Sequence, residues 1–246
     1  DGIQLHGWLF DPDCAGAKPH LYAICCHGYS GQPAGYGEYA HRFARLGFTV
    51  LVPALRGHGL SEGRYAGMGW LDRRDLMRWI SLIIDSDADA RILLQGKSMG
   101  AAAVMMTVGE PDLPRNVVAA VEDCGYASVG QQFIDCARSM FHLPKFLAKP
   151  IVTTMGAIAR RRAGYGFQEA SCVEQLKHAT IPMLFIHGGA DDFVPSRALD
   201  ENFDACASID RQKLLIPSAG HSMSASTAPV VYWKTVTNFV TRVFGL

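Results

Sequence analysis

No stretch of this 246-residue chain approaches the ~20 consecutive apolar residues that a membrane-spanning helix needs, and no secretory leader is visible at its start. Those two absences make a cytoplasmic location the expectation. The opening Asp1-Gly2 qualifies it, because Ile3-Gln4-Leu5-His6-Gly7-Trp8-Leu9-Phe10 reads as the second half of a hairpin and leaves room for an upstream anchor or leader. A charge imbalance is also missing: Lys plus Arg and Asp plus Glu both number 23. That excludes a globally basic face for nucleic acid and favours a small, uncharged or weakly charged substrate. Composition leaves membrane contact and oligomeric state open.

The seven cysteines contain no C-x-x-C pair, their number is odd, and Cys25-Cys26 lies inside an apolar run. Reduced, packed thiols are therefore expected rather than disulfides or a metal site, and no cofactor is expected. Internal repeats and low-complexity tracts are absent as well, which excludes a solenoid.

What the sequence does contain is alternation. Short apolar runs at 21–26, 48–53, 91–95, 117–121, 181–186 and 212–216 have the Val/Ile/Leu/Phe-rich character of buried parallel strands. Helical patterns lie between them at 36–46, 70–84, 99–109, 196–207 and 229–244. In 70–84 the residues Leu76, Trp79, Ile80, Ile83 and Ile84 form one apolar face, with Asp72, Arg73, Arg74, Asp75 and Arg78 on the other. Strand-helix alternation with right-handed crossovers predicts a doubly wound, mostly parallel α/β sheet with helices on both faces. Residues 125–180 break the rhythm with helical patterns near 126–141, 145–162 and 169–178. The expected organisation is a core of 1–124 and 181–246 with a helical cap at 125–180.

The most informative stretch is Gly96-Lys97-Ser98-Met99-Gly100, between the apolar run 91–95 and the helical 99–109. A serine in a G-x-S-x-G turn between strand and helix is held strained, with its Oγ exposed at the strand end. Ligands of open α/β sheets bind beyond the carboxyl ends of the strands, and the other strand ends carry suitable residues. Run 21–26 leads into His27-Gly28-Tyr29-Ser30-Gly31, run 181–186 into His187-Gly188-Gly189-Ala190-Asp191-Asp192, and run 212–216 into Ala219-Gly220-His221. Ser, Asp and His thus follow one another in that order.

Together HGYSG, GKSMG, IHGGADDFVP and AGHS resemble an α/β-hydrolase of the serine hydrolase branch, over nearly the whole chain. Arg56-Gly57-His58-Gly59-Leu60-Ser61 is similar to a loop of the monoglyceride-lipase-like and serine-aminopeptidase-like members, and Glu122-Asp123-Cys124-Gly125-Tyr126 resembles bacterial esterase-like hydrolases. The resemblance implies that Ser98 is the nucleophile, His221 the general base and then acid, and Asp191 the carboxylate that orients the imidazole. It implies oxyanion donors at the backbone N–H groups of Met99 and Tyr29. Asp192 and Asp123 remain alternatives for the acid. His27, His58 and His187 are expected to tie loops together. The ring and hydroxyl of Tyr29 are candidates for lining the acyl site.

Two positions depart from the resembling proteins. Lys97 stands where many carry His or Gln, and its side chain is expected to turn away from the substrate, the alternative being a cation that raises the local potential or pairs with an acid. Ala54 stands where Asp is frequent, so a loop-bracing interaction is expected to be missing. In the cap, Phe133, Met140, Phe141, Leu143, Phe146, Leu147, Ile151, Met155 and Ile158 are expected mainly to pack on the core, with one side available as an acyl pocket. Arg160-Arg161-Arg162 reads as a solvated helix face, or as a site for an anionic head group or carboxylate. The expected activity is hydrolysis of carboxylic esters through an acyl-enzyme, with a small acyl substrate as partner and no nucleic acid. Peptidase, amidase, thioesterase or acyltransferase activity on the same three residues, or a non-catalytic binding module, are the alternatives.

Overall fold

A computed structural model describes residues 2–16 and 18–246. Seven strands form one sheet: β1 (Gly7–Phe10), β2 (Leu21–Cys26), β3 (Thr49–Pro53), β4 (Arg91–Lys97), β5 (Val117–Asp123), β6 (Met183–Gly188) and β7 (Arg211–Ile216). Their spatial order is β1-β3-β2-β4-β5-β6-β7. β1 lies antiparallel to β3, and every other pairing is parallel. The opening segment thus finds its sheet partner in β3, reached across the chain, rather than in a hairpin neighbour within the described residues.

The helices are α1 (Gly37–Arg45), α2 (Asp72–Ser86), α3 (Met99–Val108), α4 (Val129–Phe141), α5 (Lys145–Ala163), α6 (Cys172–Leu176), α7 (Arg197–Ala205), α8 (Ser224–Thr227) and α9 (Pro229–Phe244). They cover both sheet faces, which is why the central strands carry runs of consecutive apolar residues, such as Ile92-Leu93-Leu94 and Val117–Val121, rather than apolar residues at alternate positions. Side chains of β2 show the division. Ala23 and Cys25 join Phe43, Phe48, Trp233 and Phe239 on the α1/α9 side, whereas Ile24 and Cys26 join Leu76, Ile80, Val104 and Leu199 on the other. Adjacent strand residues point to opposite faces, so Cys25 and Cys26 enter different cores. All seven cysteines are free thiols.

Two expectations about surface and core are overturned. The start of α2 is not a solvated charged face: Asp72, Arg73 and Asp75 are buried, while Arg74 and Arg78 are exposed. Arg56 forks onto Asp75, with Nε–Oδ2 2.7 Å and Nη2–Oδ1 2.6 Å, and Arg73 Nε meets Glu110 Oε1 at 2.5 Å. Asp72 Oδ2 accepts the Gly69 N–H at 2.8 Å. The loop before α2 folds over the helix start, and charges on a helical periodicity become buried pairs. The brace expected to be missing at Ala54 is supplied elsewhere, by the Arg56–Asp75 fork and by Ser61 Oγ donating to Ala54 O at 2.6 Å.

The second correction concerns 125–180. α4 and α5 pack together as a hairpin, and Ser128 Oγ caps α4 by accepting the Gln131 N–H. Phe133 stacks on Phe167 at 4.8 Å, and Tyr165 and Phe167 are buried in the core. Met140, Phe141, Phe146, Leu147, Ile151, Met155 and Ile158 do not pack on the core; all are exposed. Only the α5 positions Ala148, Val152 and Gly156 are buried, a face one residue wide per turn. α6 packs on α3. Among the described residues no helix is long and apolar enough to cross a membrane.

Candidate active site

Ser98 is the hinge between β4 and α3, with φ 56° and ψ −117°, a conformation that a side chain makes costly. The chain must turn from strand to helix within one residue, and the flanking glycines are what lets it. A Cβ on Gly96 would stand 2.3 Å from Gly100 O, and one on Gly100 would stand 2.2 Å from Cys26 O on the neighbouring strand. Both obstacles are backbone, which cannot swing aside. Gly100→Ala is therefore expected to destabilise the protein by about 4 kcal/mol or more, checked by urea unfolding; a loss under ~1 kcal/mol would mean that β2 and α3 can separate without penalty.

Ser98 Oγ lies 2.9 Å from His221 Nε2, and His221 Nδ1 lies 2.8 Å from Asp191 Oδ2. Asp191 is 7% exposed, and its Oδ1 accepts the N–H groups of Phe193 (3.0 Å) and Val194 (2.8 Å). Burial works against its charge, but the His187 and His221 hydrogen bonds outweigh it and hold the carboxyl well below the usual carboxylate range. An ionised carboxylate only accepts, so Nδ1 of His221 carries the proton and Nε2 presents its lone pair to the Ser98 hydroxyl. That arrangement can draw a proton from Oγ and return it to a leaving group.

Of the alternative acids, Asp192 is exposed. Asp123 ends β5, its backbone carbonyl accepts the Ser98 N–H at 2.8 Å, and burial pushes its carboxyl up to about 6. The acid in contact with His221 is Asp191.

The other histidines brace the strand ends, as expected. Leu55 N–H donates to His27 Nε2 at 3.0 Å, which leaves Nδ1–H to donate to Gly28 O at 2.8 Å. Burial lowers the His27 pKa and keeps this neutral tautomer. His58 Nδ1 pairs with Arg56 O at 3.0 Å. His187, fully buried, reaches Val194 O at 3.0 Å and stands 3.4 Å from Asp191 Oδ2, steadying the acid loop from below. The loop held by His27 carries Gly28, whose Cα lies so close to Ser98 that a Cβ there would be 3.3 Å from the Ser98 Cβ. Tyr29 follows it, and Met99 opens α3, where an N–H has no carbonyl one turn earlier. The two residues expected to supply oxyanion donors thus directly follow Gly28 and Ser98 in the chain.

A cavity of about 450 Å³ opens over Ser98 and His221, walled by Tyr29, Tyr36, Gln32, Lys97 and Phe193 among others. Lys97 is among the residues that border it, and its Nζ stands over the rings of Tyr36 and Tyr39, which belong to the core on the α1 side, at 5.6 and 5.5 Å. Tyr29 is 63% exposed at the mouth, edge-on to His58. No Asp or Glu side chain among the described residues lines this cavity.

Several contributors carried no signal in the sequence. Phe193 packs on the His221 ring at 5.0 Å, and its carbonyl accepts from Gln132 Nε2 of α4 at 2.8 Å. Cys124 Sγ lies 3.4 Å from Ser222 Oγ. Cys124, Asp191 and His221 bring potential metal-ligand atoms within 4.8 Å of one another. Burial, with Asp123 nearby, pushes the Cys124 thiol well up, and His221 Nδ1 is already engaged by Asp191, so this trio favours a hydrogen-bonded triad over a thiolate ligand set.

Glu122 sits below this group, fully buried, with Oε2 accepting the Gly125 N–H at 3.0 Å. Burial pushes its carboxyl up to about 8. The folded protein therefore keeps a proton that the unfolded chain, with an ordinary Glu near ~4.3, has released. The stability this contributes is fully present below the unfolded value and is lost as pH rises through about 8. Glu122→Gln is expected to flatten that loss, gaining on the order of 5 °C in Tm over the unmodified protein between about pH 6 and about pH 9. Asp72, raised to about 7, titrates in both proteins and cancels. Parallel Tm profiles would assign the alkaline loss to another group.

The sequence model of one protein family, described as serine aminopeptidase, S33, matches residues 17–155, more than half of the chain and including Ser98. The chain belongs to the S33 serine aminopeptidase family of α/β-hydrolases. Membership makes it a hydrolase by fold and family. Curated relatives include the uncharacterized protein YqkD of Bacillus subtilis, 26% identical over 88% of this chain and 70% of that protein. The uncharacterized protein Rv2307c of Mycobacterium tuberculosis is 29% identical over 90% of this chain and 69% of its own length. Among solved structures, the Pyrococcus furiosus esterase Pf2001 superposes with a TM-score of 0.77 over 98% of this chain and 88% of its own, at 18% identity. A Paleococcus ferrophilus monoacylglycerol lipase gives 0.73 over 97% and 99%, at 14% identity. At those identities the likeness establishes the α/β-hydrolase fold of the family member.

Proposed function

We propose that this S33 family member is a serine hydrolase of carboxylic esters acting through an acyl-enzyme. The observation that carries the reading is the continuous hydrogen-bond chain Asp191 Oδ2–His221–Ser98 Oγ, at 2.8 and 2.9 Å, opening into the cavity. In this reading Ser98 Oγ attacks the carbonyl carbon as His221 Nε2 takes its proton, and the N–H groups of Met99 and Tyr29 receive the oxyanion. His221 then protonates the departing alkoxide as the acyl–oxygen bond breaks, and water, deprotonated by the same nitrogen, releases the acid and restores Ser98. Residues 125–180 serve as a helical cap over the core of 1–124 and 181–246. The Gln132–Phe193 bond, which ties α4 to the acid loop, supports that role.

An ester is favoured over the free amino terminus of a peptide by the walls of the cavity. An aminopeptidase must hold an ammonium group, for which a buried carboxylate is the usual partner. No Asp or Glu side chain among the described residues lines this cavity. The test is to treat the protein with a fluorophosphonate, locate the adduct by peptide mass spectrometry, and compare aryl esters with aminoacyl anilides. Labelling confined to Ser98 and turnover of the esters is the expected result. Absence of labelling would mean a binding protein on a hydrolase fold, and faster turnover of the anilides would restore the peptidase reading.

A further inference from the structure

The exposed end of the α4–α5 hairpin is the part of the molecule that the proposed chemistry leaves unused. Met140, Phe141 and Phe146 are 62%, 69% and 74% exposed, and Leu147, Ile151 and Ile158 continue from them along one flank of α5. These spacings of four, seven and eleven residues keep the side chains on one stripe, roughly a quarter-turn from the buried positions Ala148, Val152 and Gly156. A contiguous patch of large apolar side chains, left in water on an otherwise well-packed domain, marks an interaction surface.

Charge identifies the occupant. From Cys136 to Gln168 there is not one Asp or Glu, while Arg138, Lys145, Lys149 and the run Arg160-Arg161-Arg162 supply six cations. The rest of the chain holds 17 Lys and Arg against 23 Asp and Glu, so a net-neutral protein concentrates its positive charge on this one hairpin. Arg160 bonds Glu169 at 3.1 Å; Arg161 and Arg162 are exposed at the end of α5. Protruding apolar side chains flanked by cations are the pattern of a helix lying in the head-group region of an anionic bilayer. A second copy of the chain is disfavoured, because a two-fold contact through this face would set one acid-free basic segment against another.

We propose that the α4–α5 hairpin docks the protein on anionic lipid membranes, with Phe141 and Phe146 entering the interface and the flanking cations meeting lipid phosphates. The root of α4 is bonded to the loop that carries Asp191 through Gln132–Phe193, and to the start of α7 through the Asp135–Arg197 ion pair. A docked hairpin is thus tied through the root of α4 to the loop that carries Asp191. The inference does not rest on the ester reading, since a binding protein could use the same surface.

Flotation of the protein with phosphatidylcholine vesicles, with and without about 30 mol% phosphatidylglycerol, is the test. Expected is flotation with the anionic vesicles, weakened by salt and reduced about tenfold or more in Phe141→Ser/Phe146→Ser and in Arg161→Glu/Arg162→Glu. Both pairs are exposed, and unchanged fluorophosphonate labelling and circular dichroism of each variant show that the fold is kept. Two results would overturn the proposal: no flotation on anionic vesicles, or flotation that the variants leave unchanged. A dimer in light scattering that Phe141→Ser/Phe146→Ser dissolves would assign the face to a second copy instead.

Discussion

Replacing Ser98 with alanine is expected to lower kcat on an aryl ester about 10⁶-fold while leaving KM within a few-fold of its starting value. The substitution removes the one oxygen that faces His221 Nε2 and disturbs little else. Alanine accepts the same φ of 56° no worse than serine, and Ser98 N–H keeps its bond to Asp123 O. The proposed oxyanion donors and the cavity also survive, so a residual rate above that of water is expected, and fluorophosphonate labelling should disappear. A variant that kept a tenth of the activity would move the nucleophile away from Ser98 and remove the acyl-enzyme from the reading.

Asp191→Asn is expected to cost about 10⁴-fold in kcat, with the fold intact. The asparagine oxygen can go on accepting the Phe193 and Val194 N–H groups that Asp191 Oδ1 accepts, so the loop holds its shape. Its amide nitrogen then faces His221 Nδ1 as a donor. The imidazole must accept there, its proton moves to Nε2, and the lone pair that faced Ser98 Oγ is lost. The charge that steadies the imidazolium is lost with it. Asp192→Asn, at an exposed position one residue on, is expected to change kcat less than about twofold. A larger loss in Asp192→Asn than in Asp191→Asn, measured as kcat on the same ester, would transfer the role of acid.

Five strands were legible because a sheet covered on both faces asks for apolar runs, and β2 to β6 have them, whereas edge strand β7 opens on Arg211-Gln212-Lys213 and only its second half is apolar. β1 was harder. Its four residues lie at an edge with Trp8 and Leu9 exposed, so its pattern says extended but does not name β3 as the partner. Charge on α2 misled for a related reason: helical periodicity tells which residues share a face, and not whether a distant loop will cover it. Arg56 and Glu110, which accompany Asp75 and Arg73 into the interior, lie 19 and 37 residues away from them. In α5 the error ran the other way. Its apolar residues predict core packing, yet only a narrow stripe of that helix touches the domain.

At the candidate site, the order of Ser98, Asp191 and His221 and their positions after β4, β6 and β7 could be read from strand-end motifs. Local chemistry dictates those turns: Gly96 and Gly100 stand where any Cβ would strike backbone, and a strand-to-helix reversal needs that clearance. What the chain's order of residues determined is therefore the architecture, the elbow and the set of polar groups delivered to one edge of the sheet, because periodicity and turn chemistry act over a few neighbouring residues. Tertiary structure alone decided which aspartate meets His221, that Phe193 packs on its ring, that the Lys97 ammonium lies over Tyr36 and Tyr39, and that the α4–α5 hairpin keeps Phe141 and Phe146 in water. Each of those outcomes depends on side chains far apart in the chain, such as Asp191 and His221, 30 residues apart, or on which face a packed neighbour leaves bare; Ser98 and His221 meet across 123 residues. Such distances are set when the elements pack, and no local pattern carries them.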